Sequence, residues 1–334
     1  MTDPRLERQL WPALRRYWHP VAYVAEVGGA PHPVRLLGER LVLARLRVGL
    51  SCFRDLCVHR ATALSLGRVE AGELVCAYHG WRYADDGRCV HIPALSAERP
   101  IPSRARIERF ACEERHGLVW VCLDANPATG VPAFPEFGDP SFHAAFVPPQ
   151  DWRASAARAT ENSVDAAHFP WLHEGILGTR DHPEVPEFPI ERVDEELRYR
   201  WLDLPNPMHP IAHERVYRLH RPFTIHQRKQ RVGGDVEAVM ITASPRAAEQ
   251  TTVYLVICRN FPLDERELAE RMATDLLILE QDRPVVESQR PAELPLDLSA
   301  ELHLRGPDAV AVAYRRFIAE LGIDLDAGPT PKIT

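Results

Sequence analysis

The chain has 334 residues, of which 45% are hydrophobic, and its 40 basic and 47 acidic side chains give a net charge of −7. This length and composition can bury a substantial core, and they predict either two domains or one elaborated domain. The mildly acidic balance, without a polybasic block, argues against a nucleic acid as partner.

The sequence gives no sign of a membrane or secretory segment. The first twenty residues, MTDPRLERQLWPALRRYWHP, lack an apolar core, and no run of roughly eighteen apolar residues follows them. Seven cysteines, an odd number, argue against a disulfide framework and favour reduced thiols or metal ligands. We therefore expect a cytoplasmic protein with no membrane partner.

The N-terminal half is predicted to be all-β. Between about residues 40 and 125, short β-type runs such as RLVLARLRV, ELVCAYH and GLVWVCLD alternate with Gly, Asp and Pro. The stretch from 124 to 150 is rich in Pro and Gly and has little periodicity, as is typical of a connection between domains. We place the boundary near residue 145, so the N-terminal domain spans 1–145 with a core of about 20–125.

Two short metal-ligand patterns lie in this half. Cys57 and His59 form a Cys-x-His pair, and Cys76 and His79 form a Cys-x-x-His pair after sixteen intervening residues. Two thiolates and two imidazoles suit zinc, but the spacing of the first pair is tighter than zinc fingers use. A two-iron cluster with thiolates on one iron and imidazoles on the other needs one ligand for each iron from each loop. The order Cys, His, Cys, His meets that requirement, so the cluster is favoured and zinc is the alternative.

The C-terminal half, 146–334, is predicted to be α+β with an antiparallel sheet. A short helical stretch around 158–168 precedes alternating runs such as ELRYRWLDL, RPFTIHQRKQRV and TTVYLVICRNF. A long helix follows from about 265 to 290, with Asp264 as its N-cap and Glu267 as the capping-box partner.

A second ligand pattern, N-x-x-D-x-x-H-x-x-x-x-H, lies at the start of this half. It comprises Asn162, Asp165, His168 and His173. Asp165 and His168 share a helix face at this spacing, so the carboxylate can accept a hydrogen bond from the imidazole. Pro170 predicts a bend at the residue before it, which would let both imidazoles converge. The alternative is two independent histidines on a partly buried helix.

A carboxylate near the end of the long helix completes a candidate iron site. Two histidines and one carboxylate on one face of an iron leave positions for O₂ and substrate. The segment LEQDRPVVESQRP, residues 279–291, offers Asp282 as first choice and Glu280 as second. Taken alone, either carboxylate is better interpreted as a solvated charge on a polar helix.

Together, these three patterns resemble the terminal oxygenase (alpha) component of Rieske non-haem iron oxygenases, in the family's order and over nearly the whole chain. The trailing Gly80 and Trp81 match the Rieske motif as well. The chain length and the segment from Asn162 are most similar to the vanillate demethylase, toluenesulfonate and phenoxybenzoate oxygenase branch. The resemblance implies an α+β protein, with an all-β, sandwich-like Rieske domain and a helix-grip (START-like) catalytic domain built on a curved antiparallel sheet.

The resemblance also implies which residues hold metal. A Rieske [2Fe–2S] cluster would be held by two cysteines on one iron and two histidines on the other: Cys57, Cys76, His59 and His79. A mononuclear Fe(II) would be held by two histidines and a carboxylate: His168, His173 and Asp282. Relatives often have Glu-Asp at the last ligand, whereas this chain has Glu280-Gln281-Asp282, so Glu280 stays open as the alternative.

Two further residues receive catalytic roles from the resemblance. Asp165 matches the family's bridging carboxylate, which connects a cluster histidine of one subunit to an iron ligand of its neighbour, and a cyclic homotrimer is therefore implied. Asn162 occupies the position of a polar residue close to the iron.

The expected activity is O₂-dependent hydroxylation or oxidative demethylation of a small, aromatic substrate, by a monooxygenase or dioxygenase. No Gly-rich dinucleotide fingerprint occurs in a strand–helix context, so electrons from NAD(P)H should arrive through a separate flavin reductase or ferredoxin. The rival interpretations are a Rieske electron-transfer protein without oxygenase activity and a zinc-binding interaction protein.

The strand-like sequence between residues 209 and 240 is expected to form the wall of the substrate cavity. The candidates for its lining are polar or bulky side chains: His209, His213, Arg218, His220, Arg221, His226 and Met240. The sequence does not say which of them point inward.

Overall fold

The computed structural model describes residues 6–203, 213–230 and 233–322, and the chain forms two compact units. One unit comprises residues 15–131, and the other comprises the residues up to 14 together with those from 132 onward. None of the helices in the described ranges is both long and apolar enough to cross a membrane.

The unit of residues 15–131 is all-β, as predicted. Its strands are β1 (His19–Tyr23), β2 (His32–Leu36), β3 (Glu39–Leu46), β4 (Gly49–Arg54), β5 (Arg68–Glu70), β6 (Glu73–Val75), β7 (Arg82–Tyr83), β8 (Cys89–His91), β9 (Arg109–Arg115) and β10 (Leu118–Cys122). They form a six-stranded sheet in the order β1-β10-β9-β4-β3-β2 and a four-stranded sheet in the order β5-β6-β7-β8. Val42, Phe53 and Leu74 belong to a buried cluster that also contains Cys57 and Cys76. The cysteine-bearing loops are therefore packed into the core of this unit.

The second unit is α+β, which confirms the predicted class. Its strands are β11 (His143–Trp152), β12 (Ile190–Val193), β13 (Glu196–Asp203), β14 (His213–His220), β15 (Thr224–Gln230), β16 (Val236–Ala247) and β17 (Gln250–Arg259). They form one antiparallel sheet in the order β11-β17-β16-β15-β14-β13-β12. Its helices are α1 (Trp11–Leu14), α2 (Pro135–Gly138), α3 (Ala156–Val164), α4 (Phe169–Leu172), α5 (Glu265–Ser288) and α6 (Ala309–Ala319). Helix α3 packs on β16 and β17, and α5 packs on β11.

The two units divide the chain differently from the expected boundary at residue 145. That boundary would cut β11, whose first residue, His143, already pairs with Arg259 of β17. The N-terminal segment also joins the second unit, because the backbone N–H of Ala157 donates to the buried carboxylate of Glu7 at 3.1 Å. Both the boundary and the placement of the N-terminal segment depend on pairing between distant segments of the chain, which local composition does not reveal.

Helix α5 begins as its sequence predicts. Asp264 accepts a hydrogen bond from the backbone N–H of Glu267, and Glu267 accepts one from the backbone N–H of Asp264, at 2.8 and 2.9 Å. This capping box satisfies backbone donors that have no partner inside the helix. The buried positions of α5 are Leu279, Asp282 and Val286, which share one helix face. A carboxylate is thereby carried inward together with two apolar side chains.

The buried carboxyl group of Glu7 predicts a pH dependence of stability. Burial raises the pKa of Glu7 from its ordinary 4.5 to about 7, so the folded protein binds a proton that the unfolded chain has released. The stabilisation is complete below pH 4.5 and is lost as the pH rises through 7. Between about pH 5 and pH 8, we expect the wild type to lose ~1–3 kcal/mol of unfolding free energy that Glu7→Gln retains. Denaturant unfolding at both pH values measures this difference. The exposed Glu184→Gln serves as control, and parallel profiles for wild type and Glu7→Gln would contradict the prediction.

Candidate metal centres

The two cysteine-bearing loops share one backbone arrangement. In each loop the cysteine carbonyl accepts a hydrogen bond from the amide four residues on, and the cysteine amide donates to the carbonyl five residues on, at 2.8–3.0 Å. The fourth residue is Ala61 in one loop and Gly80 in the other, and both have positive φ, +53° and +69°. The backbone turns at Cys57 and Cys76 are therefore equivalent, although the histidine is the second residue after the cysteine in one loop and the third in the other.

The two predicted imidazole ligands of these loops lie side by side, and so do the two predicted thiol ligands. The rings of His59 and His79 have centroids 4.6 Å apart, and His59 stacks on Trp81 at 4.7 Å. Both cysteines are buried free thiols, and the pKa of Cys57 is raised, first by burial and also by the neighbouring Cys76.

This donor set fits a cluster with mixed ligands. Nδ1 of His59 is buried and has no hydrogen-bond partner among the described residues. A buried nitrogen in that state is costly unless it binds something, and two adjacent buried thiols become good ligands once deprotonated. Thiolate and imidazole ligands in this combination are those of a Rieske [2Fe–2S] cluster.

A residue that the sequence analysis missed touches this site. The hydroxyl group of Tyr83 lies 3.0 Å from Sγ of Cys57, and both side chains are buried. The available sequence signal was its position, two residues after Trp81, which is the last residue matched to the Rieske motif. Hydrogen bonds to a cluster's sulfurs are among the factors that set its reduction potential.

The second predicted site starts where helix α3 ends. The predicted helix over 158–168 is too long, because α3 stops at Val164 and Asp165 adopts an extended conformation. The carboxylate of Asp165 accepts from the backbone N–H of Ala167 at 2.9 Å and contacts Nδ1 of His168 at 2.9 Å. The Asp–His contact is therefore present, but a tight turn makes it and not a shared helix face.

The bend also lies elsewhere than predicted. The chain turns at Asp165, whereas Pro170 lies in the first turn of α4, immediately after Phe169. Proline is tolerated there because the first backbone N–H groups of a helix have no partner within it. His168 precedes α4 and His173 follows it, so this single turn of helix separates the two imidazoles.

His168, His173 and Asp282 converge on one point. Oδ1 of Asp282 lies 3.0 Å from Nε2 of His173 and 3.5 Å from Nε2 of His168. Within the described parts of the chain, this is the one group of three metal-ligating side chains, with ligand atoms within 4.8 Å of each other. Glu280, the second choice, is exposed on the opposite side of α5.

These three residues also fit a metal ion. Nε2 of His168 is buried and has no hydrogen-bond partner in the described ranges of the chain, and His173 is fully buried. Burial lowers the pKa of His173, but hydrogen bonds with Asp282 and Gln281 outweigh it and raise the pKa overall. Two imidazoles and one carboxylate that face a common point are the donor set of a non-haem iron site.

Gln281 is a second residue that the sequence analysis missed. Its side-chain oxygen lies 2.8 Å from Nδ1 of His173, so His173 is held through both ring nitrogens by consecutive residues of α5. The available signal was its position directly before Asp282. A hydrogen bond to the non-ligating nitrogen fixes the orientation and tautomer of a metal-binding imidazole.

A cavity of about 120 Å³ adjoins the three converging residues. Asn162 lines it beside His168, and alternate residues of the central strands supply its floor. The floor residues are Arg215, Tyr217, Gln227, Lys229, Glu237, Val239, Ile241, Leu255 and Ile257.

The expected lining residues of this cavity point elsewhere. Arg218, His226 and Met240 are register partners across β14, β15 and β16, on the opposite face of the sheet from Tyr217 and Gln227. The other expected lining residues with described side chains, His220 and Arg221, are also absent from the cavity wall. His209 and the side chain of His213 lie outside the described residues.

Both halves of the chain match known protein families. Residues 17–111 match the Rieske [2Fe-2S] domain family, and residues 152–323 match the vanillate O-demethylase oxygenase C-terminal domain family. The methylxanthine N1-demethylase NdmA of Pseudomonas putida is 34% identical over 92% of this chain and 89% of its own length. The methylxanthine N3-demethylase NdmB of the same organism is 34% identical over 97% of this chain and 94% of its own length.

Solved structures agree with the sequence relatives. The structure of Pseudomonas putida NdmA with caffeine has a TM-score of 0.89 and 33% identity, covering 96% of this chain and 94% of that one. Dicamba monooxygenase bound to dicamba, with a TM-score of 0.82, 20% identity, and coverage of 95% and 99%, shows the shared fold. The matches span both units, so neither a lone electron carrier nor a zinc-binding interaction protein is favoured. The chain therefore belongs to the Rieske non-haem iron oxygenases, as a terminal oxygenase with a Rieske domain and a vanillate demethylase-type catalytic domain.

Proposed function

We propose that the two sets of converging side chains are the metal ligands of this Rieske-type oxygenase. His168, His173 and Asp282 hold the mononuclear Fe(II), and two cysteines and two histidines hold the [2Fe–2S] cluster: Cys57, Cys76, His59 and His79. The observation that carries the proposal is the approach of both histidine Nε2 atoms to one buried carboxylate oxygen of Asp282. An iron held this way supplies open positions for the activation of O₂ beside the substrate.

Two residues orient the imidazoles of the iron site. Asp165 contacts Nδ1 of His168, and Gln281 contacts Nδ1 of His173, so in each ring Nε2 is directed at the metal position. One acceptor is a carboxylate and the other is a neutral amide. A carboxylate makes the imidazole a stronger ligand than an amide does, so the two histidines are not equivalent.

We assign Asp165 a second role, as the residue through which electrons reach the iron from the cluster of a neighbouring subunit in a homotrimer. Its side chain is 30% exposed although one oxygen is bound to His168, so another chain can reach it. Asn162 lines the same cavity as His168, which supports a role for it in contact with a bound substrate or O₂.

The reaction that suits this site is hydroxylation or oxidative demethylation of a small ring compound in the cytoplasm. Two electrons from NAD(P)H arrive through a reductase or ferredoxin and, with two protons, convert one oxygen atom of O₂ to water. The other oxygen atom enters a C–H bond. On a methyl group bound to nitrogen or oxygen, this gives a hydroxymethyl group that separates as formaldehyde. The names of the relatives NdmA and NdmB, both demethylases, support this outcome.

His168→Ala tests the iron site. The substitution removes one of three ligands, so the iron content should fall from about three atoms per chain to about two while the cluster remains. Elemental analysis after anaerobic ferrous loading, with the electron paramagnetic resonance of the reduced cluster, measures both centres. The exposed His182→Ala should keep all the iron, and an unchanged iron content in His168→Ala would reject the assignment.

Asp165→Asn tests the electron route. Asparagine can still accept a hydrogen bond from His168, so both metal centres should stay occupied and the cluster reducible, while product formation nearly disappears. Turnover with a surrogate reductase and single-turnover cluster reduction measure the two steps separately. Asp181→Asn, at an exposed position, is the control. Retention of most turnover in Asp165→Asn would defeat the role.

Gln281→Leu tests the orientation of His173. Loss of the amide oxygen should weaken Fe(II) affinity by roughly 10- to 100-fold, whereas Gln281→Glu should preserve it. Competition with a metal chelator measures the affinity without turnover. Glu280→Leu, one residue earlier and exposed, is the matched control. Equal affinity in Gln281→Leu and wild type would show that the contact is not needed.

A further inference from the structure

A second cavity, of about 330 Å³, lies on the face of the seven-stranded sheet that is turned away from the three converging residues. We call it the outer cavity. Alternate residues of β14 and β15 line it together with two residues of α2: Val216, Arg218, His226, Arg228, Pro135 and Glu136. The intervening residues Tyr217 and Gln227 line the cavity beside the converging residues. Because successive side chains of a strand point to opposite faces, the sheet separates the two cavities.

The strand register brings two arginines together at the base of the outer cavity. Val216 pairs with Arg228, and Arg218 pairs with His226. The two arginines are therefore diagonal neighbours on one face of an antiparallel pair, where such positions lie roughly 7–8 Å apart. At that separation, two long guanidinium side chains can contact one ligand group.

Helix α2 adds a buried carboxylate to the outer cavity. The carboxylate of Glu136 lies 3.0 Å from Nε2 of His226 and 3.4 Å from Nε of Arg228. Both Glu136 and His226 are at least nine-tenths buried. Burial raises the pKa of Glu136, but its contacts with His226 and Arg228 lower the pKa overall, so the group is ionised. The charge of Arg228 is thus matched within the protein.

The charge of Arg218 is not matched in the same way. Arg218 is exposed, and it makes no ion pair or hydrogen bond with another residue in the described ranges. The arginines beside it on β13 do have partners. Arg198 contacts Glu196 at 2.7 Å, and Arg200 contacts Glu214 at 3.4 Å. Since a guanidinium group stays charged and offers five donors, the described side chains leave the outer cavity with an uncompensated positive charge.

Apolar groups complete the outer cavity. Pro135 and Val216 line it, and the ring of Phe134 packs edge-on against that of His226, with centroids 5.4 Å apart. Small-molecule sites combine apolar walls with a few polar groups and have volumes of roughly 300–1,000 Å³. The volume of the outer cavity falls within that range. It therefore suits an organic molecule better than a single inorganic ion.

We propose that the outer cavity binds a small organic anion, whose carboxylate or phosphate group is held by Arg218 and Arg228. The guanidinium group recognises both oxyanions through paired, charge-assisted hydrogen bonds. The apolar part of the ligand packs on Pro135 and Val216. In the described part of the chain, the one group of three metal-ligating side chains lies at the other cavity, so the anion is a bound ligand and not the compound that is oxidised. The proposal does not rest on the proposed function.

Calorimetric titration of the iron-loaded protein at fixed ionic strength tests the preference for an anion. The probes are benzoate, phenyl phosphate and the neutral benzamide. We expect at least one of the two anions to bind roughly 10- to 100-fold more tightly than benzamide, because its hydrogen bonds are charge-assisted. The anion that binds more tightly distinguishes a carboxylate from a phosphate ligand. Failure of both anions to bind, or equally tight binding of benzamide, would overturn the proposal.

Brominated forms of the same probes locate the site. Crystals soaked with 4-bromobenzoate or 4-bromophenyl phosphate should show the anomalous signal of bromine in the outer cavity, and crystals soaked with 4-bromobenzamide should not. Bromine found only in the cavity beside His168, or only at other positions, would reject the outer cavity as the anion site.

Arg218 and Arg200 give a matched pair of variants. Both are exposed arginines on the same face of the sheet, but Arg200 lies outside the outer cavity and contacts Glu214. Arg218→Gln should weaken anion binding by roughly tenfold and leave benzamide unaffected, whereas Arg200→Gln, which removes the same charge, should change neither. Arg218→Lys should give an intermediate affinity, because the charge remains but the paired hydrogen bonds are lost. Thermal unfolding confirms that the variants fold, and unchanged anion affinity in folded Arg218→Gln would overturn the role of Arg218.

Discussion

The catalytic unit depends on one buried contact, in which a carboxylate oxygen of Asp282 lies against two histidine nitrogens. A buried carboxylate is costly unless opposite charge or hydrogen bonds compensate it, and a buried imidazole nitrogen without a partner is costly as well. A cation between them would satisfy all three ligand atoms at once. Because α5, the turn after α3 and the residue after α4 each supply one of the three side chains, the contact ties together three separate segments of the chain.

Different backbone structures bring the proposed ligands together in the two centres. The two cysteine-bearing loops repeat one backbone turn, with a left-handed residue four positions after each cysteine, so equivalent short segments carry the ligands that we propose for the cluster. The proposed iron site instead takes two histidines from either side of one helical turn and a carboxylate from a distant helix. In both places the part of the chain that the structure describes leaves one buried imidazole nitrogen without a hydrogen bond, at His59 and at His168. A buried nitrogen without a partner is unfavourable, which supports our proposal that both sites bind metal.

The cavity beside His168, His173 and Asp282 has a strongly polarised floor. Alternation along the strands sends Tyr217, Gln227 and Val239 inward, while Arg218, His226 and Met240 point away from the cavity. Rows of register partners then give the floor one charged edge and one apolar edge.

The sequence alone determined the family, the fold class, and the ligand sets that we propose. Cysteine and histidine spacing is local, and the capping box of α5 lies within four residues, so both could be interpreted without tertiary contacts. The turn at Asp165 could not be predicted in this way, because its spacing to His168 fits a helix face and a tight turn equally well. Nor could the choice between Asp282 and Glu280, since burial of one face of α5 depends on what packs against it. The contact of Gln281 with His173, the membership of residues 6–14 and the inward face of each strand were likewise decided only by the tertiary structure. Each depends on pairing between segments a hundred or more residues apart or on strand register, and a one-residue shift of a strand reverses which side chains face the cavity.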